Sequence, residues 1–384
     1  MVLQGTNPLI YVVAGEASGD LLGGRLMTAL KAQAPGCHFV GVGGQTMVAE
    51  GLSSLFPMDE LSVMGLVEIL PHVKRLLRRI EEVAQDIERR KPHVVVTIDA
   101  PGFNFRLAKK LRARGLQIHL VHYTAPTVWA WRPGRAKKIA RLFDHLLTLF
   151  PFEPPYFTPH GLKTTFVGHP LIEDARLKEN MGDLFRARFG LAPTTPLVCC
   201  LLGSRRREIE TLLPVFKETL ETLKQEKPDL RVVCPVLPAY TSWVQDALKD
   251  LDPLVIDDLD LKYQAFQAAN AALAASGTVS LELALAGTPM VIAYRVNKVT
   301  AFLMKRLLLT RFVCLVNILL QEEVVPECVQ ERCTPAVLVP YLRDLLTDNA
   351  RQKEKLSLIR HLLTARQGTP SDLAAKTVLS LIRS

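Results

Sequence analysis

The chain has 384 residues, 48% of them hydrophobic and 22% charged, with a formal net charge of +9 at pH 7. That length calls for two domains, and the composition excludes a disordered or fibrous chain. The positive balance points to an anionic partner, while seven cysteines without a CxxC pair read as buried thiols of a reduced, cytosolic protein rather than a disulfide framework.

The first residues carry no basic n-region, and their apolar run is too short for a signal peptide. No apolar run nears the ~18 residues that a membrane span needs, so membrane contact is expected to be peripheral. Residues 9–13 read as a strand that leads through Gly15, Glu16, Ser18 and Gly19 into a helix from about Asp20. The turn has neither G-x-G-x-x-G nor Lys-Ser/Thr after Gly19, which argues against NAD enzymes and P-loop ATPases. A second strand, 39–42, ends in Gly43-Gly44.

Leu66, Ile69, Leu70, Val73, Leu76, Leu77 and Ile80 then recur at helical spacing, with Lys74, Arg75, Arg78 and Arg79 beside them. A helix facing the core gives the same stripe. Three features favour a membrane-surface segment over residues 66–80. Pro71 is expected to interrupt the helix, Val67 adds an apolar side chain off the stripe, and the flanks are basic. The apolar and basic segment 302–309 is expected to assist.

Strands follow at 94–98, 118–122 and 146–149. The first ends at Asp99, just before Pro101, where the carboxylate suits either acid–base work or the capping of a turn. Between Asp99 and Asp144 lie many basic residues and no acid, a run that favours phosphate or anionic lipid. Nucleic acid is not expected, because Tyr123, Trp129 and Trp131 sit in one loop and are not interleaved with the basic residues. His119 and His122 are three apart on a strand and so face opposite ways, which prevents a shared metal. No metal and no cofactor are expected.

The pattern pauses from residue 168 to 193 and restarts with strands at 197–201, 231–235, 254–256, 271–275 and 290–294. The first runs into Gly203, Ser204 and Arg205, where the guanidinium can meet a diphosphate or be one more surface arginine. Asp258 and Asp260 precede a helical pattern, and capping by Asp260 is favoured over a metal–nucleotide site. Residues 276–289 carry a phosphate-type turn. Ser276 or Thr278 can cap the helix, Gly277 lets the backbone approach a ligand, and the helix N-terminus suits a phosphate. Glu282, one turn on, is placed to grip sugar hydroxyls. The strand–helix alternation predicts an α/β protein with two doubly wound parallel halves, a cleft between them and ligands at the carboxyl ends of strands.

The set GEASGD (15–20), MGLVEIL (64–70), TIDAPGFN (97–104), VWAWR (128–132), VGHPL (167–171), GSRRREI (203–209), ASGTVSLELALAGTPMVIAYR (275–295) and Asn317 resembles the lipid-A-disaccharide synthases, family 19 of the glycosyltransferases. The resemblance implies a GT-B fold of two Rossmann-like domains facing a cleft. It places an N-terminal acceptor-side domain at 1–170, a C-terminal UDP-sugar domain at 171–364 and a returning C-terminal helix at 365–384. It implies an inverting, metal-independent transfer from UDP-2,3-diacylglucosamine to 2,3-diacylglucosamine 1-phosphate (lipid X). The products would be a β-1′,6-linked disaccharide 1-phosphate and UDP. By matching motif, Asp99 takes the place of an essential aspartate and Glu16 is the second catalytic candidate. Ser18 belongs to the acceptor-side loop, while Arg205, Ser276, Gly277, Thr278, Glu282 and Asn317 belong to the UDP side. Two positions depart from the pattern. Leu202 stands where a proline is expected, and Glu322 where a basic residue is expected.

The implied setting is the inner face of the cytoplasmic membrane, against an anionic surface, with a homodimer as one admissible assembly. Two other readings stay open at this point. One is another GT-B enzyme using UDP-N-acetylglucosamine, either a peptidoglycan transferase or a 2-epimerase. The other is a non-catalytic binder of anionic lipid.

Overall fold

The computed structural model describes residues 7–61, 66–297, 308–365 and 367–382, with backbone only for 66–72. The chain divides into two compact units, one built from Met1–Pro170 and Leu363–Ser384, the other from Leu171–Leu362.

The first unit holds a seven-stranded parallel sheet. Its strands are β1 (Leu9–Ala14), β2 (His38–Val42), β3 (Ser53–Ser54), β4 (Val94–Ile98), β5 (His119–Tyr123), β6 (His145–Thr148) and β7 (Lys163–Phe166). Their order in space is β3-β2-β1-β4-β5-β6-β7. The central strands are largely apolar because helices cover both faces, as a parallel sheet requires, with Thr97 of β4 and His122 of β5 as buried polar exceptions. All five residues of β4 are buried. The order reverses between β1 and β4, where Ala14 pairs with Ile98. Loops leaving two strands at such a point diverge and open a crevice. Here those loops carry Glu16 and Ser18 on one side and Asp99 on the other.

The second unit repeats the plan with β8 (Leu197–Leu201), β9 (Arg231–Pro235), β10 (Leu254–Ile256), β11 (Ala271–Ala275), β12 (Met290–Tyr294) and β13 (Glu327–Val329). The order is β10-β9-β8-β11-β12-β13, all parallel, and it reverses between β8 and β11. The loops at that reversal carry Arg205 and Ser276–Thr278.

The last helix, Pro370–Ile382, belongs to the first unit. Its Ala374, Ala375, Val378 and Leu379 join the core that includes Leu22, Leu26 and Leu30 of the helix Ala17–Gln33. Gln33 donates to the Asp372 carbonyl at 2.9 Å.

The helix Leu66–Arg90 corrects one expectation, since it runs through Pro71 without a break. Proline at the sixth position removes a single backbone bond near the helix start, and the remaining turns propagate. The C-terminal half is locked into the core by Ile80, Val83, Ala84 and Ile87, and by Tyr11 donating to Asp86 at 3.1 Å. The predicted surface stripe is therefore mixed. Val73 (39% exposed) and Leu77 (52%) face solvent, Leu76 packs against the core, and Ile80 is buried. Residues 62–65, the side chains of 66–72 and most of 302–309 lie outside the described residues. Among the described residues no helix is long and apolar enough to cross a membrane. All seven cysteines are free and buried.

Candidate active site

At the end of β1 the chain turns through Gly15 into the helix Ala17–Gln33, with Glu16 extended at the N-cap (φ −143°, ψ 159°). A Cβ on Gly15 would lie 2.7 Å from the Cβ of Ala100, so this turn can approach the one after β4 only with glycine here. Asp20 is buried and accepts the backbone N–H groups of Gly44 (2.8 Å), Thr46 (2.9 Å) and Met47 (3.1 Å). The last residue of GEASGD thus pins the loop after β2.

The turn after β4 is unusual. Asp99 (φ 50°) and Ala100 (φ 43°) are both left-handed without being glycine. Such a conformation costs about 1–3 kcal/mol per residue and persists only where neighbours impose it. The buried Asn104 does so, donating from Nδ2 to the carbonyls of Ile98 (3.1 Å) and Asp99 (2.8 Å). The Asp99 N–H donates to the Tyr123 carbonyl at 2.7 Å. The turn-capping alternative for Asp99 is excluded: Ala100 holds the N-cap of Pro101–Ala113, without a side-chain cap. The Asp99 carboxylate instead accepts the Ser18 hydroxyl at 3.0 Å.

Two cavities flank this turn. One, of about 320 Å³, is lined by Asp99, Thr124, Thr127, Trp131, Arg132 and Arg135 among others. The other, of about 280 Å³, is mainly apolar and is lined by Glu16, Leu61, Val73, Leu76, Leu77, Ile80, Phe103 and Arg106. Pro101 lines both. The two candidate carboxylates therefore line adjoining cavities.

Glu153 escaped the sequence reading. It is buried, accepting the Leu149 and Phe150 N–H groups at 3.0 Å each and the Trp129 indole N–H at 3.4 Å. Burial outweighs those three donors and pushes its carboxyl up to about 7. Through Trp129 it braces the loop that supplies Trp131 and Arg132 to the Asp99 cavity. A lone Glu in a Phe-Glu-Pro stretch gives no signal of that role.

In the second unit a cavity of about 640 Å³ opens at the carboxyl ends of the strands. Arg205, Ser276, Gly277, Thr278 and Glu282 all line it, joined by Glu208, Asp257, Lys262 and Tyr294, which sequence reasoning missed. The volume lies in the range of small-molecule sites. Arg205 caps the helix Arg206–Glu226 through its backbone, and its largely exposed guanidinium stands 3.7 Å from Glu208. Glu282 is ion-paired with Lys262 at 2.6 Å. Burial first, then Glu208, raises the Tyr294 phenol above its ordinary value.

Three details of the phosphate-type turn differ from expectation. Neither Ser276 nor Thr278 caps the helix Val279–Ala286 with its side chain. Thr278 is already helical (φ −62°, ψ −22°), and the hydroxyl of Ser280 donates instead to the Gly277 carbonyl at 2.8 Å. The Ser280 and Leu281 N–H groups already donate to the Gly277 (3.3 Å) and Thr278 (2.9 Å) carbonyls, so the N–H group that the missing side-chain cap leaves for an anion is that of Val279. A Cβ on Gly277 meets nothing within 4 Å, so the protein's own packing does not require glycine there. Asp258, not Asp260, caps Leu259–Ala268, accepting the Leu261 N–H at 2.8 Å, while Asp260 reaches Arg176 at 3.4 Å.

Asn317 stands apart from this cavity. Fully buried, it donates to the Val325 carbonyl and to Glu327 (2.8 Å each) and accepts the N–H groups of Val324 (3.0 Å) and Val325 (2.9 Å). Its four bonding positions are filled, leaving none for a nucleotide. Glu327 also accepts the N–H groups of Val313 and Cys314, so the pair fastens the segment after residue 312 to β13. Leu202 is buried core, and Glu322 pairs with Lys355 at 2.7 Å.

The basic run after Asp99 is partly neutralised from outside. Arg112 pairs with Asp144 at 2.7 Å, Arg114 with Glu88 at 2.8 Å, and both Lys110 and Arg114 with Glu81. His122 is buried against Phe105 and Phe143, and burial holds its imidazole down near 3. Among the described residues no group of His, Cys, Asp or Glu has the geometry of a metal site.

Two parallel-sheet α/β units, each with polar loops at a reversal of strand order, define a GT-B fold, the architecture of nucleotide-sugar glycosyltransferases. A family model described as lipid-A-disaccharide synthetase matches residues 10–380. The lipid-A-disaccharide synthase of Rhodospirillum centenum is 47% identical over 97% of this chain and 94% of its own. That of Paramagnetospirillum magneticum is 48% identical over 98% of each. The chain belongs to the lipid-A-disaccharide synthase family and is a glycosyltransferase. The solved UDP-GlcNAc 2-epimerase from Neisseria meningitidis, bound to UDP-GlcNAc, superimposes with a TM-score of 0.64 at 12% identity. The match covers 98% of this chain and 100% of the epimerase, a likeness of fold alone.

Proposed function

We propose that the enzyme transfers diacylglucosamine from UDP-2,3-diacylglucosamine to the 6-hydroxyl of 2,3-diacylglucosamine 1-phosphate. One observation carries the reading: a cavity lined by the polar side chains of Asp99, Thr124, Thr127, Arg132 and Arg135 adjoins, at Pro101, a cavity lined mainly by Val73, Leu76, Leu77, Ile80 and Phe103. An acceptor with a sugar at one end and acyl chains at the other matches that pairing of surfaces. A 2-epimerase acting on a wholly polar UDP-sugar has no use for the apolar half.

The acceptor oxygen attacks the donor's anomeric carbon from the face opposite UDP. As the new C–O bond forms, the Asp99 carboxylate takes the hydroxyl proton. The bond from the anomeric carbon to the diphosphate oxygen breaks, UDP leaves with the electron pair, and the configuration inverts. Ser18 orients Asp99, and Glu16 is the alternative base. Charge gathering on UDP is met by Arg205 and by the first turn at Val279. Glu282, aligned by Lys262, receives the ribose hydroxyls. Ser276, Gly277 and Thr278 shape the diphosphate turn, and Asn317 supports the unit from behind as a positioning residue. The exposed Val73 and Leu77, with Lys74 and Arg78 nearby, rest on the anionic inner face of the cytoplasmic membrane.

A radiolabelled UDP-2,3-diacylglucosamine turnover assay with and without lipid X tests this reading. Lipid X-dependent disaccharide and UDP are expected, unchanged by EDTA. UDP release or epimerisation independent of lipid X would sink it.

A further inference from the structure

The basic residues that follow Asp99 are not equivalent. Lys110, Arg112 and Arg114 are held by Glu81, Glu88 and Asp144, and Arg106 donates to the Gly102 carbonyl at 2.6 Å. Arg132 and Arg135 have no acidic partner among the described residues, yet both line the Asp99 cavity. One backbone turn links them, with the Arg135 N–H donating to the Arg132 carbonyl at 3.0 Å. The guanidinium of Arg132 lies over the Trp131 ring, 4.0 Å from its centroid, which limits its freedom without using a donor.

We propose that Arg132 and Arg135, on the Trp131 platform, form the site for a phosphate monoester on the acceptor sugar. This rests on the reaction proposed above and assigns the group that orients its acceptor. A phosphate monoester carries about −1.5 to −2 charges near pH 7 and presents three acceptor oxygens, a match for two planar guanidinium forks. The cavity's one described carboxylate, Asp99, repels that anion. The phosphate therefore lies on the arginine side, and a neutral hydroxyl elsewhere on the same sugar meets Asp99. Two arginines without an acidic partner among the described residues, in one cavity with one carboxylate, thus fix which end of the sugar reaches Asp99. The apolar cavity beyond Pro101 remains for the acyl chains.

The test compares wild type with the double variant Arg132→Gln, Arg135→Gln on two acceptors, 2,3-diacylglucosamine 1-phosphate and the same sugar without phosphate. Wild type is expected to prefer the phosphorylated acceptor in kcat/KM. The double variant should lose roughly 10²-fold on that acceptor, mainly through KM, at about one order of magnitude per charged group. Its loss on the unphosphorylated acceptor should be at least tenfold smaller, so that the preference between the two acceptors collapses, with donor KM unchanged. Arg132→Lys and Arg135→Lys should fall between the two. UDP calorimetry and Tm check that the fold persists, and if the double variant does not fold, the two Lys variants decide alone. A variant that keeps the wild-type preference overturns the assignment, and a rise in donor KM instead gives the arginines to the donor's diphosphate. Absence of turnover by wild type with either acceptor overturns the reaction and the assignment together.

Discussion

Ser18 Oγ donates to Asp99 Oδ2 at 3.0 Å, joining the first turn after β1 to the turn after β4 across the reversal of strand order. The bond aims a carboxylate that the backbone already holds in a strained conformation. Asn104 stabilises that strain from behind through two carbonyls.

Asp99→Asn keeps the shape of the side chain and removes the proposed base. We expect kcat to fall by ~10²–10⁴ while UDP affinity stays constant. Ser18→Ala should lower kcat by roughly tenfold, the effect of one hydrogen bond to a charged group. An Asp99→Asn variant that retains half its activity would transfer the role of base to Glu16.

In the second unit, Arg205→Ala and Glu282→Ala should each weaken UDP binding measured by calorimetry. Roughly 1.5–3 kcal/mol is expected for Arg205, with only partial rescue by Lys, which lacks the planar fork. Lys262→Met should mimic Glu282→Ala, because it leaves the Glu282 carboxylate without its ion-pair partner. Unchanged affinity in all three variants would put the nucleotide elsewhere.

Much of this was legible because buried parallel strands are written as continuous apolar runs. Residues 94–98 and 197–201 showed where β4 and β8 end, and so where Asp99 and Arg205 stand. Of the four edge strands only β10, read at 254–256, was legible. β3 is two serines, β7 is Lys-Thr-Thr-Phe with no fully buried residue, and β13 has three residues. The left-handed pair Asp99-Ala100 leaves no trace in residue type, because Asn104 imposes it from five residues away. Asn317 was grouped with the nucleotide by resemblance, yet its amide is consumed by the loop that it holds. Lys262 and Glu153 gained meaning only once the fold supplied their partners.

Glu153 gives a pH dependence with a definite sign. Its folded pKa, about 7, lies above the ordinary carboxylate value, so the native state binds more protons between roughly pH 4.5 and 7. Its contribution to stability is therefore fully present below that window and is lost as pH rises through it. Glu153→Gln abolishes that term. The Tm of wild type relative to the variant should fall from pH 5 to pH 7.5. Burial holds His122 near 3 and His169 near 4, which opposes this trend over part of the window. The wild-type-minus-variant difference isolates Glu153, and a flat difference would refute its raised pKa.

The helix Leu66–Arg90 has a buried and an exposed side on one stripe, and substitution tests separately the core role of the first and the proposed membrane contact of the second. Ile80 is buried in the first unit's core, so Ile80→Ser should cost roughly 2–5 kcal/mol in denaturant unfolding, as large-to-small core changes do, with added cost for an unpaired hydroxyl. Val73 and Leu77 are exposed and also line the apolar cavity, so Val73→Ser with Leu77→Ser should leave the unfolding midpoint nearly unchanged. That double variant should bind vesicles containing anionic lipid less tightly in a flotation assay, and its KM for the acylated acceptor should rise. Salt should weaken the binding that remains, because Lys74 and Arg78 still meet the surface through screened charge. If Val73→Ser with Leu77→Ser unfolds the protein as Ile80→Ser does, the whole stripe belongs to the core. If it folds and floats like wild type, the membrane contact lies on another face.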